Sequence, residues 1–350
     1  MADRKYTNLW EPGTDAFASL ISYLEPTVRP LMGLKTIQIL LLREALDYLV
    51  LRTEDTREIN EVVTPSHRSP GGEVRRVAFM GGKQKAVESR ELERLLRSAS
   101  LDTDFDQRPA QGNRDCYLTA KLCLRCPRCG LFGGTSTESG RGNEPNIKHR
   151  IEYSTAFSLL PYEEVVEEVT SNAIHDDKQI TDTNLFARPC VRPGTLFASI
   201  VTLRSATPHE LMLTLKVLLS ARSYGAESRT AGDVRNHVVG IVGGWEEILT
   251  PLEFALECES RLDKLPAAGS RAGALDEVVS TYWDMCAQPA KVLFLNATNQ
   301  SVDGKLKIAN GLDDVLKAAR QFSLRMDFLE RAYDDVLNLR AEQGVSVATA

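Results

Sequence analysis

The chain alternates between short apolar runs and charged segments, and this pattern predicts a mixed fold of strands and helices. The first run, residues 34–52, is rich in Ile, Leu and Val and predicts buried core, as a strand followed by a second strand or a short helix. The alternating or continuous apolar pattern of strands recurs at residues 150–160, 196–204, 237–243 and 290–296. Strands that alternate with helices favour an α/β or α+β fold with a strand–helix–strand unit at its heart.

Helices are predicted by apolar spacing and by capping signals. Thr207 precedes Glu210 by three positions, Thr250 precedes Glu253 in the same way, and a proline follows each threonine. This spacing is typical of a capping box, in which each side chain bonds the other residue's backbone N–H, and proline is favoured in the first helical turn. Further helices are predicted at about 88–99, 274–286 and 312–342.

Two segments have little capacity to form a core and are predicted to be loops. Residues 64–85 hold two prolines, two Gly-Gly pairs and several cations, which predicts a loop or a long hairpin. Within them, Gly81-Gly82-Lys83 resembles a phosphate loop only loosely; a close approach of two backbones, or a simple turn, explains it better. Residues 222–236 form a fifteen-residue connection with three arginines. Connections of this length are uncommon in compact domains, so this one is a candidate binding loop.

The charge of the chain is unevenly distributed. The 350 residues carry a net charge of −6, which argues against nucleic-acid binding by the whole surface. Residues 67–150, however, hold sixteen Lys/Arg and ten Asp/Glu, a balance of +6, so the remaining residues carry −12. This asymmetry predicts one basic face on an acidic body, with ordinary solvated helix faces as the alternative.

The composition favours a cytoplasmic protein with no membrane partner. The first thirty residues contain seven charged side chains and no apolar core like that of a signal peptide. The longest largely apolar run, residues 37–42, is too short to cross a bilayer. None of the common nucleotide-binding, zinc-protease or serine-hydrolase motifs is present, and the five histidines are scattered, so no nucleophile–base pair is predicted.

Cysteines provide the strongest chemical signal, since four of the seven lie within residues 116–129. An odd number of cysteines in a long chain is not typical of a disulfide scaffold, and clustered thiols in a reducing compartment more often hold a metal. Cys126-Pro-Arg-Cys129-Gly130 has the form of a zinc knuckle, in which glycine permits a tight turn after the second ligand. We predict a structural Zn²⁺ bound by Cys116, Cys123, Cys126 and Cys129.

Other interpretations of this cysteine cluster remain open. Cys190 or His149 can supply one ligand in place of a member of the quartet, because three ligands in a C-x-x-C-x-x-C run are crowded. The thiols can also form a buried reduced cluster. An iron–sulfur site fits less well, because the spacing lacks the remaining thiol pattern of a ferredoxin.

Five stretches of the chain, in order, resemble the backbone subunit of type I-D CRISPR effectors, a Cascade-type, Csc-two-like member of the Cas-seven superfamily. They are LKTIQILLLREALDYLVLRTEDTREIN, GGKQKAVESRELERLLR, CLRCPRCGLFGG, LFARPCVRPGTLFASIVTL and ESRTAGDVRNHVVGIVGGWEEIL. The resemblance implies an α+β fold with an RRM-like (ferredoxin-like) core and large insertions, one of them zinc-binding. The expected division is a core of residues 1–65 and 151–350 with C-terminal helices, a basic insertion at 66–112 and a zinc-knuckle insertion at 113–150.

The resemblance also implies a function and partners. Copies of such a subunit polymerise head to tail along a guide crRNA and help to hold the paired DNA or RNA target strand, beside other CRISPR effector subunits, in antiviral defence. A subunit that accepts any guide should bind phosphates and sugars rather than base edges. By position and chemistry, the candidate RNA contacts are Lys35, Arg52, Arg76, Lys83, Gln84, Lys85, Arg222, Arg229, Arg235 and Asn236.

Two other functions are alternatives to this non-catalytic role. Backbone subunits of related type III effectors cleave target RNA with a loop aspartate, and Asp233, or else Asp177, is the weak candidate for such a metal-dependent nuclease here. The third hypothesis is an unrelated zinc-containing interaction protein that binds no nucleic acid.

Overall fold

The computed structural model describes residues 17–52, 58–69, 71–107, 116–117, 122–135, 144–174, 177, 181–225, 232–260, 293–296, 301–303, 306–308 and 311–346. The helix predicted at 274–286 lies outside these residues. Within them, the fold is an α+β arrangement of an antiparallel sheet and packed helices, so the predicted class is confirmed.

The strands in the described residues form one large sheet and one separate hairpin. They are β1 (Thr36–Ala45), β2 (Glu61–Pro65), β3 (Glu73–Phe79), β4 (Ile151–Tyr153), β5 (Ala156–Ser158), β6 (Val166–Ile174), β7 (Thr181–Val191), β8 (Leu196–Arg204), β9 (Val234–Gly244), β10 (Leu293–Asn296), β11 (Ser301–Asp303) and β12 (Leu306–Ile308). The ten-stranded sheet has the order β12-β11-β10-β9-β1-β8-β5-β3-β2, with β4 also paired to β8, while β6 and β7 pair with each other.

Helices cover both faces of this sheet. They are α1 (Gly81–Asp102), α2 (Pro127–Phe132), α3 (Tyr162–Val165), α4 (Pro208–Ser220), α5 (Pro251–Glu259), α6 (Leu312–Gln321) and α7 (Met326–Glu342). Helices α1, α4, α6 and α7 contribute to one apolar cluster, and α5 contributes to a second cluster on the opposite face.

Strand β1 explains why the first apolar run has so few polar positions. It pairs antiparallel with both β8 and β9, so it lies in the interior of the sheet. Ile37, Ile39 and Leu41 point into the cluster beneath α1 and α4, whereas Leu40 and Leu42 point into the cluster beneath α5. Side chains of a strand alternate between faces, and a strand covered on both faces therefore needs apolar residues throughout.

Both predicted capping boxes are present. The N–H of Thr207 donates to Glu210 Oε2 at 3.0 Å, and the N–H of Glu210 donates back to Thr207 Oγ1 at 3.4 Å. Thr250 and Glu253 make the same pair of bonds, at 2.8 and 3.4 Å. These reciprocal bonds satisfy N–H groups that a helix start leaves without an intrahelical partner.

Other boundaries differ from the sequence prediction. Helix α1 begins at Gly81 rather than near 88, and the predicted 312–342 helix is interrupted at residues 322–325. A Cβ on Gly81 would lie 2.6 Å from the carbonyl oxygen of Tyr153, so this glycine permits the close backbone approach that the sequence suggested. The connection before β9 is partly closed by a bridge between Ser223 and Asp233.

The predicted division into core and insertions stays a prediction, as does the RRM-like description of the core. Residues 66–112, predicted as a basic insertion, include β3, which pairs with β5 of the large sheet, and α1, which packs on α4. The segment is therefore continuous with the sheet and its helical layer.

Candidate metal centre and nucleic-acid interface

The four clustered cysteines converge on one point. The sulfur atoms of Cys116, Cys123, Cys126 and Cys129 all lie within 4.8 Å of one another, and the side chains are buried. The sulfurs of Cys116 and Cys129 are 3.5 Å apart. Tetrahedral zinc with Zn–S bonds of about 2.3 Å places its sulfurs about 3.8 Å apart, so the donor set and its spacing fit such an ion.

Short-range backbone structure positions these sulfurs. Cys126 is the N-cap of α2, and its sulfur accepts from the N–H of Cys129 at 3.5 Å. The sulfur of Cys123 accepts from the N–H of Arg125 at 3.4 Å, and that of Cys116 accepts from the N–H of Cys123 at 3.5 Å. These N–H groups point toward sulfurs that carry negative charge as thiolates.

The thiols affect one another's ionisation. Hydrogen bonds from Cys116, Cys123 and Cys126 hold the pKa of the Cys129 thiol well below its ordinary value. Burial raises the pKa of the Cys126 thiol. The pKa of the Cys123 thiol is also raised, because Cys123 is hydrogen-bonded to Cys116. One thiolate is therefore stabilised by its neighbours, whereas ionising all four in this buried site requires a cation among them.

The alternative ligands lie outside this group. Neither Cys190 nor His149 belongs to the set of converging sulfurs. Cys190 is buried in β7 opposite Glu167 of β6, and His149 is partly buried. The four converging cysteines can therefore hold a metal ion without either residue.

The cysteine cluster is packed against the C-terminal helix. Its residues share an apolar cluster with Tyr333, Val336 and Leu337 of α7. A Cβ on Gly130 would lie 2.6 Å from Val336 Cγ2, and Gly130 is an internal residue of α2 rather than a turn residue with positive φ. The expected tight turn at Gly130 is therefore wrong: this glycine is needed for close packing, and the positive φ occurs at Gly133.

Arginines connect the cluster to the rest of the fold. Arg150 donates to the carbonyl of Gly130 at 2.6 Å and forms a buried ion pair with Glu210 at 2.8 Å. Arg340 of α7 pairs with Glu144 at 3.0 Å, and Arg125 pairs with the same carboxylate at 3.2 Å. The cysteine segment is thus tied to the N-terminus of α4 and to α7.

Three predicted RNA contacts have buried side chains. Arg76 pairs with Glu259 at 2.7 Å and donates to the carbonyls of Ser158 and Leu159. Gln84 donates to the carbonyl of Phe79 at 2.8 Å, and Asn236 donates to the carbonyl of Leu218 at 2.9 Å. Their polar groups bond within the protein, and the three residues are only 0%, 0% and 6% exposed, so little of their surface is open to RNA.

The other predicted RNA contacts that lie among the described residues are partly or fully exposed. Lys83 and Lys85 lie on α1, and burial lowers the pKa of Lys85. Lys35 donates to the carbonyl of Leu24 at 3.0 Å, while Arg222 and Arg235 are exposed near the two ends of the candidate loop. Arg52 is partly exposed, and Arg229 lies outside the described residues. All seven remain predictions.

A buried polar network, which the sequence did not predict, joins α1 to the middle of the sheet. Arg43 Nη1 lies 2.6 Å from Glu88 Oε1, and both side chains are completely buried. Arg43 also donates to Asn236 Oδ1 at 2.9 Å, and Tyr224 donates to Glu88 Oε1 at 2.8 Å. Burial raises the pKa of Tyr224, so its hydroxyl stays a donor. In the sequence, this network was indicated only by Arg43, a charged residue within the apolar run of β1.

Helix α1 carries a second unusual carboxylate, Glu93, close to the cysteine cluster. Its Oε1 lies 3.3 Å from Arg97 Nε, while Oε2 is buried without a hydrogen-bond partner among the described residues. Burial raises the pKa of Glu93 to about 7.

Comparison with known proteins gives a family for this chain. The sequence model of the Csc2 CRISPR family matches residues 23–326. The chain belongs to the Csc2 CRISPR family. No curated protein matches the chain.

The fold agrees with this membership. The crystal structure of Thermofilum pendens Csc2 is 20% identical, with a TM-score of 0.62, over 95% of this chain and 99% of that one. A chain of a CRISPR RNA-guided surveillance complex is 13% identical, with a TM-score of 0.50, over 82% of this chain and all (100%) of that one. At these identities the likeness shows that this Csc2-family chain shares their fold.

The candidate nuclease residues of this Csc2-family chain are surface residues. Asp233 and Asp177 are exposed, and neither joins a group of three or more potential metal ligands among the described residues. The nuclease hypothesis stays a prediction. No helix in the described part of the chain combines the length and the apolar character that a bilayer crossing requires.

Proposed function

We propose that this chain is a non-catalytic backbone subunit of a type I-D CRISPR surveillance complex, in which copies bind head to tail along a guide crRNA. The observation that carries the proposal is family membership over residues 23–326 together with a fold shared over 95% of the chain with a Csc2 structure. A surveillance-complex chain of similar fold supports the same assignment.

The charge distribution supports binding through the RNA backbone. Exposed or partly exposed cations, among them Lys83, Arg222 and Arg235, suit phosphate contacts. Each copy needs only a modest basic strip, because neighbouring copies share the strand, and this agrees with a net charge of −6 for the chain. Head-to-tail contacts between identical copies produce open helical filaments rather than closed rings. The same subunit would help to hold the paired target strand.

The proposed cofactor is one structural Zn²⁺ held by Cys116, Cys123, Cys126 and Cys129. Four buried sulfurs within 4.8 Å of one another support this ligand set. When bound, the ion supplies a cross-link between the segment around Cys116 and helix α2, and it balances the charge of the thiolates.

Assembly on RNA of defined lengths tests the function. The purified chain, with its effector companions, is mixed with single strands of about 20, 40 and 60 nucleotides, and the mass of each complex is measured by light scattering. We expect the number of bound copies to rise in proportion to RNA length. A control with double-stranded DNA of the same lengths should not show this stepwise growth. Absence of RNA binding at low salt would contradict the proposal.

A further inference from the structure

Helix α1 carries four basic residues on one solvent-facing side. Lys83, Arg90, Arg94 and Arg97 recur at spacings of seven, four and three residues. At about 100° per residue these positions fall within roughly 60° of one another around the helix, and they extend over about 21 Å of its length. The buried residues Glu88, Leu92 and Ala99 lie on the opposite face of the helix.

A cavity of about 240 Å³ lies between this basic side of α1 and the cysteine segment. We call it the arginine pocket, because Arg90, Arg94, Arg97 and Arg128 contribute to its lining together with Tyr117. Glu93 also lines it, so the charged groups of the lining total four positive and one negative. The cavity therefore has the electrostatic character of an anion site.

Two of the four arginines are held by hydrogen bonds that join α1 to the cysteine segment. Arg97 donates from Nη2 to the carbonyl of Cys116 at 2.7 Å. Arg128 is 5% exposed, donates from Nε to Ser89 Oγ at 2.9 Å, and has Nη1 3.9 Å from Cys129 Sγ. Held side chains lose less conformational entropy on binding a ligand, so these two arginines are preorganised.

The other two arginines are available to a ligand. Within the described part of the chain, the side chain of Arg90 makes no hydrogen bond or ion pair, and that of Arg94 has only a 3.7 Å contact with Glu91 on its own helix. Exposed arginines are expected on any solvated helix face. Arg128 is different, because it is buried, belongs to the cysteine segment and lines the same cavity. Tyr117 is 40% exposed at this site, and an aromatic ring beside cations is the usual partner of a nucleotide base.

We propose that the arginine pocket binds a backbone phosphate of a single-stranded RNA, with Tyr117 against the adjacent nucleotide. The proposal rests on the RNA-binding function proposed above and adds a specific contact site beside the cysteine cluster. Guanidinium groups bind phosphate oxygens in bidentate geometry, which suits four convergent arginines better than a single lysine contact.

The test removes the two arginines that hold no other part of the fold. Arg90→Ala/Arg94→Ala is compared with Lys317→Ala/Arg331→Ala, a matched variant that removes two exposed cations from α6 and α7. Binding of a labelled single-stranded RNA is measured by fluorescence anisotropy across a series of salt concentrations, and thermal unfolding confirms that both variants are folded. The RNA carries 4-thiouridine so that photo-crosslinked peptides can be identified by mass spectrometry.

We expect the pocket variant to bind RNA about tenfold more weakly at moderate salt and to lower the slope of log K against log salt by about 0.7, the value for one single-strand phosphate contact. The control variant should keep the wild-type slope. Crosslinks to the peptide that contains Tyr117 should appear in the wild type and decline in the pocket variant. Arg90→Lys/Arg94→Lys, which retains the charge, should keep most of the salt slope.

The outcomes separate the two proposals. If the wild type itself binds no RNA, the proposed function fails. If the wild type binds RNA and the pocket variant matches the control in affinity, slope and crosslinks, only the arginine pocket is wrong. Inorganic phosphate is added at matched ionic strength as a further arm. If it abolishes the Tyr117 crosslink while RNA affinity stays unchanged, the pocket is a free-anion site and the proposal is overturned.

Discussion

The side chain of Arg97 donates a hydrogen bond of 2.7 Å to the backbone carbonyl of Cys116. This bond joins the exposed face of α1 to the first cysteine of the converging quartet. Arg128 makes a second connection, because its side chain lies between Ser89 of α1 and the sulfur of Cys129. The order of the cysteine segment and the shape of the basic surface on α1 therefore depend on each other.

Loss of one cysteine should remove the metal and weaken RNA binding. We expect Cys126→Ser to reduce bound zinc from about one per chain to near zero, because a structural site needs four ligands. Arg97 then loses its bond to Cys116, and Arg128 is no longer held against Ser89 of α1, so RNA affinity should fall severalfold. Proteolysis should reach both the cysteine segment and α7. Elemental analysis, anisotropy and limited proteolysis measure these effects.

Cys190→Ser is the matched control for that experiment. Cys190 is equally buried but does not join the converging sulfurs, so its substitution should leave the zinc content unchanged. Zinc loss in the Cys190 variant, with zinc retained in the Cys126 variant, would show that the ligand set is misassigned.

Close packing at Gly130 should be specific to Val336. We expect Gly130→Ala to lower the free energy of unfolding by about 1–3 kcal/mol, because the added methyl group would lie 2.6 Å from Val336 Cγ2. In a Val336→Ala background the same substitution should cost little, since the obstructing atom is gone. Urea unfolding of the four proteins in this double-mutant cycle measures the coupling, and equal costs in both backgrounds would refute the contact.

Breaking the Arg43–Glu88 pair should be strongly destabilising. Arg43→Met leaves the carboxylate of Glu88 buried without its cation, which should lower the free energy of unfolding by about 3–5 kcal/mol. Arg75→Met is the control, because Arg75 is 42% exposed and its ion pairs should contribute less than about 1 kcal/mol. Urea unfolding compares the two variants, and similar decreases in stability would mean that burial does not govern the cost.

Glu93 should make stability depend on pH. Its pKa in the folded protein is raised to about 7 from an ordinary value of 4.5. Between these pH values Glu93 loses its proton in the unfolded chain but keeps it in the folded chain. The free energy of unfolding therefore falls as pH rises toward 7, and above pH 7 Glu93 causes no further change. Glu93→Gln should remove this decline, which is on the order of 2–3 kcal/mol. The difference between wild-type and variant unfolding free energies, measured from about pH 5 to 8, tests this; a difference that stays constant with pH would contradict it.

RNA binding through phosphates should be indifferent to sequence. We expect Lys83→Glu to weaken binding of several unrelated RNAs by the same factor and to reduce the salt slope by about 0.7 or more, the value for one phosphate on a single strand. Lys317→Glu, an exposed substitution on α6, is the charge-matched control. Anisotropy titrations with purine-rich, pyrimidine-rich and mixed strands provide the comparison, and weaker binding confined to one sequence would indicate recognition of base edges.

Local patterns predicted the features that depend on neighbouring residues. Both capping boxes, the buried run at β1 and strand β8 at 196–204 were predicted correctly. Each of these depends on residues only a few positions apart, or on a strand whose two faces are both covered. The cysteine quartet belongs to the same class, because its members lie within fourteen residues and three of them follow a C-x-x-C-x-x-C spacing.

Tertiary structure decided which polar side chains reach the surface. Arg76 was predicted to contact RNA, yet it is buried because Glu259, from α5, pairs with its guanidinium. The arginine pocket exists only because Arg128 is brought against α1 by the fold of the cysteine segment. The sequence by itself determined the helix caps, the central strand and the spacing of the thiols, since these rest on short-range geometry. Only the packed chain decided whether a given arginine is a buried structural ion or an accessible phosphate contact, because that depends on partners from distant parts of the sequence.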